Sequence, residues 1–251
     1  MCGRFAQTFQ LEDLEHIERI LNQGAGLDDQ LIELFAANYT PSYNTAPTQY
    51  ATVIHSPGVD GKRRRIAMTQ AHFGLIPSWA KDRSRSSSMI NARSETITAK
   101  PAYRDVYRSR RCLLPISGFY EWQKIPGTKS KQPWYIHRAD DMPIFLAGVY
   151  DTWLDPEHGH CEVDSFSLIT TAANEFISEI HHRMPVIIEP ESINQWFDRT
   201  TEPRELRDLL TPAYPGILAA HRITTKVNTP ANNNASLIAP DTNAVASSLW
   251  D

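Results

Sequence analysis

No stretch of this 251-residue chain approaches the ~18 consecutive apolar residues of a membrane-spanning helix, and the N-terminus turns polar at Gln7. A transmembrane helix and a secretory signal are both excluded on that basis, and the expected location is the cytoplasm, or the nucleoid in a bacterium. Cysteine is scarce. Cys2, Cys112 and Cys161 are odd in number and far apart, which argues against a disulfide framework and fits a reducing compartment. His158, His160 and Cys161 crowd one turn-like segment without a second cluster to match them, so no metal is expected. Regular βαβα alternation and internal repeats are also missing, which leaves an α+β chain on a mostly antiparallel sheet.

What is present is an ordinary globular composition, 41% hydrophobic and 22% charged, enough to bury a core. The net charge of −4 hides an uneven distribution. Between Gly61 and Arg111 stand 13 Lys or Arg against Asp82, Glu95 and Asp105, a local +10 that leaves −14 for the remainder. Lys62 to Arg65 and the series Arg104, Arg108, Arg110 and Arg111 read either as a phosphate-binding field or as solvated charged faces.

Apolar spacing predicts an amphipathic helix over 9–22, followed by a Gly24/Gly26 break. Tyr43 to Pro47 reads as a loop. Strands are expected at 50–55, 66–73, 112–122, 133–138, 143–150 and 165–171, with a hairpin turn at Pro126 to Lys129. Helices are expected at 102–110, 173–180, 191–197 and 203–210, with Pro190 and Pro203 suited to a first turn. One domain over 1–240 and a loose tail over 241–251 complete the outline.

Four places mix reactive or polar groups with apolar surroundings. Met1-Cys2-Gly3-Arg4 puts a cysteine where loss of one residue exposes it, and its second side chain is small enough for methionine removal. The new α-amine, with an ordinary pKa of about 7.7 to 8.0, would be partly unprotonated near neutrality. It can attack an aldehyde, and the thiol on the adjacent carbon can then close a thiazolidine. The bland alternative is a small buried cysteine. In Asn91-Ala92-Arg93 an extended backbone points the amide and the guanidinium the same way, toward a polar substrate atom and a phosphate. Ser94 before Glu95 reads equally as a helix N-cap. Glu121, among Phe119, Tyr120 and Trp122, is the best general acid-base candidate, since desolvation favours its protonated form; an ion pair with an arginine is the alternative. In Glu179 to Pro185, His181 is a candidate proton shuttle and Arg183 a second phosphate ligand, although a loop histidine is often structural.

Together, Met1 to Arg4, Tyr43 to Pro47, Ile90 to Glu95, Gly118 to Trp122 and Ile180 to Pro185 resemble, in order and spacing, the signature of the SRAP (SOS-response-associated peptidase) family, from Cys2 to about Pro240. The resemblance implies a barrel-like β core and a protein of DNA repair that senses abasic sites in single-stranded DNA and crosslinks to them through Cys2 once Met1 is removed. It gives catalytic roles to Cys2, Asn91, Glu121 and His181. To Arg4, Asn44, Pro47, Trp79, Arg93, Thr171 and Arg183 it gives DNA contacts. Phe73 to Trp79 matches a loop that stacks on bases and blocks a continuing duplex. The chain departs from a bacterial member in having Ala80 for a second tryptophan, followed by the Ser- and Arg-rich stretch Lys81 to Ser88. The implied partners are abasic single-stranded DNA and single-strand/double-strand junctions, with no cofactor, no membrane, and the chain acting as a monomer. Only Met1 precedes Cys2 and the sequence stops soon after Pro240, so no longer leader and no partner-binding extension are expected. Two alternatives stand beside this: a cysteine peptidase using Cys2, and a non-covalent reader of modified bases.

Overall fold

The computed structural model describes residues 2–9, 39–60 and 63–242. Residues 10–22 of the helix expected over 9–22, the Gly24/Gly26 break and residues 243–251 of the expected tail lie outside the described residues, as do Met1 and Lys62.

The fold is α+β and mostly antiparallel. Five strands close a barrel: β3 (Tyr50–Asp60), β4 (Arg63–Phe73), β6 (Arg111–Ile116), β9 (Ile144–Asp155) and β10 (Cys161–Ala172), each paired with two of the others. A second sheet lies against it in the order β12 (Leu218–Arg222), β8 (Lys131–Arg138), β7 (Gly118–Lys124), β1 (Phe5–Gln7) and β2 (Ser42–Thr45). Side-chain alternation sorts the barrel residues into two apolar layers. Cys112, Leu114, Ile116, Leu146, Phe166 and Leu168 meet Phe5, Phe119, Trp134 and Ile136 of the second sheet. Their neighbours Leu113, Ala147 and Ile169 pack instead with Trp196, Phe197 and Leu206 from the helical side.

The run expected as one strand over 112–122 is two strands in different sheets. The break is at Ser117, whose N–H donates to Ala6 O at 2.9 Å and whose Oγ accepts from the Thr8 N–H at 3.0 Å. Gly118 follows because a Cβ there would stand 2.5 Å from the Tyr135 ring and 2.6 Å from Ile136 O. This crossing takes the chain into the second sheet, where β7 carries Glu121. The expected Tyr43 loop is also corrected: Ser42–Thr45 pairs with β1, and the turn comes afterwards, at Ala46 to Gln49.

Helices run over Pro101–Ser109, Glu175–Ser178, Ile193–Phe197 and Pro203–Asp208, with prolines in the first turn of the first and last. Ser94 does not cap a helix; turns occupy 94–99 and the helix begins at Pro101. Of the arginine series read either as a phosphate field or as solvated faces, three members are paired within the chain. Arg111 is buried beside Trp196 and donates to Tyr107 O, Arg108 O and Asp198 O, closing the end of the Pro101 helix. Arg110 is bound to Asp151, and Arg104 to Asp105 at 3.1 Å. Among the described residues no helix is long and apolar enough to cross a membrane.

Candidate active site

The last rungs of β10 organise the site. β4 leaves its edge at Phe73, opposite Phe166, and β5 (Asn91–Arg93) rejoins the same edge in the same parallel sense, with Asn91 at Leu168 and Arg93 at Thr170. On the other edge β11 (Arg183–Pro185) sets Arg183 opposite Ala172. At ~3.3 Å per residue, the root of the Trp79 loop, the Asn91 amide and the two arginines are spaced along some 20 Å of one strand.

Cys2 is fully buried in the layer between the sheets, just before β1. Asn91 Nδ2 donates to Cys2 O at 3.1 Å, so β5, docked on β10, holds the segment that leads into β1 of the second sheet. Burial pushes the Cys2 thiol far above its ordinary range, the Glu121 carboxylate adds to the effect, and the Arg4 N–H opposes it. The sulfur is therefore a protonated thiol. Glu121 is buried on β7, beside Arg4, whose carbonyl accepts the Tyr120 N–H at 3.0 Å. Its charge also reaches His181, which follows the short helix capped by Asn174. Burial lowers the His181 pKa below the usual histidine value; the Glu121 charge acts in the opposite sense. The His181 ring is thus neutral at pH 7, with Nδ1 accepting the Arg183 N–H at 3.1 Å. The four residues expected to do chemistry come from four separate segments and converge here.

The expected DNA ligands divide. Arg93 is exposed on β5, as its alternation with buried Ala92 predicts. Arg183 is mostly buried, chelated by the exposed Glu95 carboxylate, and donates to Thr170 O at 2.6 Å. The Arg183 guanidinium is thus already paired with Glu95, a contact that the charge count could not show. Arg4 lies over the Trp122 ring at 5.8 Å and donates to Asn44 Oδ1 at 2.8 Å and Val227 O at 2.7 Å. Asn44 is itself buried, and its Nδ2 is shared among Val227 O, Thr229 O and Asn232 O. The buried amide thus ties Arg4 to the 227–232 loop. Thr171 is buried at the Met184 rung, 6% exposed, at the edge of the site.

Pro47 and Trp79 sit on neighbouring loops. The Thr48 N–H donates to Phe73 O and the Phe73 N–H to Gln49 O, both at 2.8 Å, tying the Pro47 turn to the root of the Trp79 loop. Trp79 is 69% exposed, yet its loop is fixed from below by Ile76 N–H to Ser165 Oγ, Ser78 N–H to Asp151 Oδ2 and Trp153 Nε1–H to Ala80 O. Gly74, at φ +129°, is required there because a Cβ would lie 2.3 Å from Ser86 O. No group of three or more metal-ligating side chains is assembled among the described residues.

The family model for SOS response associated peptidase (SRAP) matches residues 1–230. The chain is 36% identical over 239 residues to the abasic site processing protein YoqW of Bacillus subtilis, covering 95% of this chain and 99% of that protein. It is 30% identical over 267 residues to the abasic site processing protein HMCES of Gallus gallus, covering 96% of this chain and 78% of that one. Among solved structures, a Bacteroides thetaiotaomicron protein superposes with a TM-score of 0.76 at 24% identity, over 96% of this chain and 100% of the other.

Proposed function

The chain belongs to the SRAP family, and from that premise we propose that it processes abasic sites in single-stranded DNA by forming a covalent thiazolidine through Cys2. The observation that carries the proposal is the Asn91 to Cys2 contact beside a carboxylate whose field reaches both Cys2 and His181.

The chemistry follows from those groups. Neutral His181 assists opening of the sugar hemiacetal: the C1′ hydroxyl gives up its proton, the C1′–O4′ bond breaks and O4′ gains a proton, leaving an aldehyde. With Met1 removed, the Cys2 amine adds to C1′, and the carbinolamine loses water to give an imine. The thiol then adds to the same carbon, and its proton passes to the nitrogen by way of Glu121. The sum is amine, thiol and aldehyde giving thiazolidine and one water. A thiol held protonated favours the amine as first nucleophile and needs the nearby carboxylate as proton acceptor. Once the imine exists the second attack is intramolecular, an advantage of several powers of ten in effective concentration. Arg4 and Arg93 bind flanking phosphates, and Arg183 joins them when Glu95 gives way; these contacts position the strand without reading sequence. Trp79 and Pro47 form the wedge that sets the preference for single strands and junctions.

A peptidase would need a Cys2 thiolate, which this burial opposes. Purified protein with Met1 removal confirmed by mass spectrometry is mixed with single-stranded oligonucleotides with and without an abasic site and run on a denaturing gel. A slower band with the abasic strand alone is expected. No band would overturn the proposal, and hydrolysis of a peptide panel instead would point to the peptidase.

A further inference from the structure

Tyr50 is a second large aromatic side chain left in solvent beside the Trp79 loop, 53% exposed, and the site described above does not use it. It opens β3 directly after the Pro47 turn. Its ring stands edge-on to His72, with centroids 5.8 Å apart at 82°. His72 is buried, and its Nδ1 lies 3.0 Å from the carbonyl of Gly74, the first residue of the Trp79 loop. Tyr50 is thus mounted on the same root as Trp79, through His72 on one side and the Thr48–Phe73 and Phe73–Gln49 bonds on the other. Arg83 is exposed further along that loop, near enough for its charge to act on His72; the exposed Lys81 and Arg85 stand two positions to either side, and the one carboxylate among them, Asp82, accepts the Ser84 N–H at 2.8 Å. A protein-binding patch would be expected to be contiguous and apolar. Separate aromatic faces among cations are the arrangement that suits a nucleic-acid strand with unpaired bases.

We propose that Tyr50 is a second stacking platform, taking an unpaired nucleobase next to the one at Trp79, with the Arg83 guanidinium on a nearby phosphate. This rests on the function proposed above and supplies an aromatic group near the place where Ala80 leaves the loop with a single tryptophan. Stacking needs the ring face and not the hydroxyl, so Tyr50→Phe should behave as the wild type.

The test is fluorescence anisotropy with a labelled oligothymidylate free of abasic sites, so that binding is read without crosslinking. Tyr50→Ala should weaken binding by roughly 5- to 100-fold with an unchanged salt slope, as expected for the loss of one stacked base. Arg83→Ala should flatten the slope of log affinity against log salt by about 0.7, the counterion share of one phosphate on a single strand. In a series of strands with one base replaced by a stable tetrahydrofuran spacer, one spacer position should weaken the wild type by the same factor as Tyr50→Ala, and should not weaken that variant further. Equal affinities for wild type and Tyr50→Ala would overturn the inference, as would a dimer of the wild type that Tyr50→Ala dissociates in size-exclusion chromatography. Failure of the wild type itself to crosslink abasic strands would remove the underlying function instead, so the two failures are distinguishable. Matching melting temperatures for Tyr50→Ala and Tyr50→Phe confirm that both variants fold.

Discussion

With Met1 removed, Cys2 would carry two nucleophiles, and substitution separates them. Cys2→Ser keeps a small second residue and hence the α-amine, but loses the sulfur. The heat-stable adduct should disappear on the denaturing gel, while an imine trapped by borohydride should persist; an undiminished heat-stable band would exclude the thiazolidine. Asn91→Ala removes the bond to the Cys2 carbonyl. One such hydrogen bond is worth about 0.5–1.5 kcal/mol, so the single-turnover crosslinking rate should fall roughly 2- to 10-fold from this contact alone. At this scale much of the site was legible in the sequence: Cys2, Glu121 and His181 stood out by residue type, and Asn91 and Arg93 by an alternation that the structure reproduces. The pairings made by Glu95 and Asn44 were not legible. Both act through long-range partners, Glu95 on Arg183 and Asn44 on Arg4, and residue type does not report a contact 88 or 40 positions away.

Elements were legible where periodicity alone decides them. The strands at 50–55, 66–73, 133–138, 143–150 and 165–171 all appear, several of them longer than expected, because alternation marks a strand but does not mark where its pairing stops. The sheet change at Ser117 was hidden because both flanking strands are buried and apolar, so the run reads as continuous. Gly118 is the feature that makes the change possible. Gly118→Ala would drive a Cβ into the Tyr135 ring and the Ile136 carbonyl. It should cost about 1–3 kcal/mol by overpacking, a fall in Tm of roughly 2–10 °C for a chain of this length, measured by thermal circular dichroism. Unchanged Tm would show that the junction has slack. Since β7 carries Glu121, crosslinking by any folded fraction of this variant should fall as well.

Across the whole molecule, one buried and three half-buried histidines set a pH limit on stability. Burial lowers the pKa of His55, His72, His181 and His221 below the ordinary 6.5. Between each lowered value and 6.5 the unfolded chain binds more protons than the native one, so stability is intact above 6.5 and is lost as pH falls through that window. Tm should drop between pH 7 and pH 5, before carboxylate titration dominates, and His72→Gln should shrink the drop. A Tm flat across that range would contradict the burial of these rings. Crosslinking should decline over the same range as His181 takes up a proton and the Cys2 amine becomes more fully protonated.

The β10 ladder has one more consequence. Because β4 and β5 dock in succession on one edge of the same strand, the chain between Phe73 and Asn91 is an excursion that returns to a fixed address. Lengthening such an excursion costs only loop-closure entropy, about 0.6 kcal/mol for each doubling. The exposed stretch Lys81 to Arg85 can therefore change in length without moving the amide that holds Cys2, while the buried roots of the excursion, Leu75, Ile76 and Ser86, stay in place.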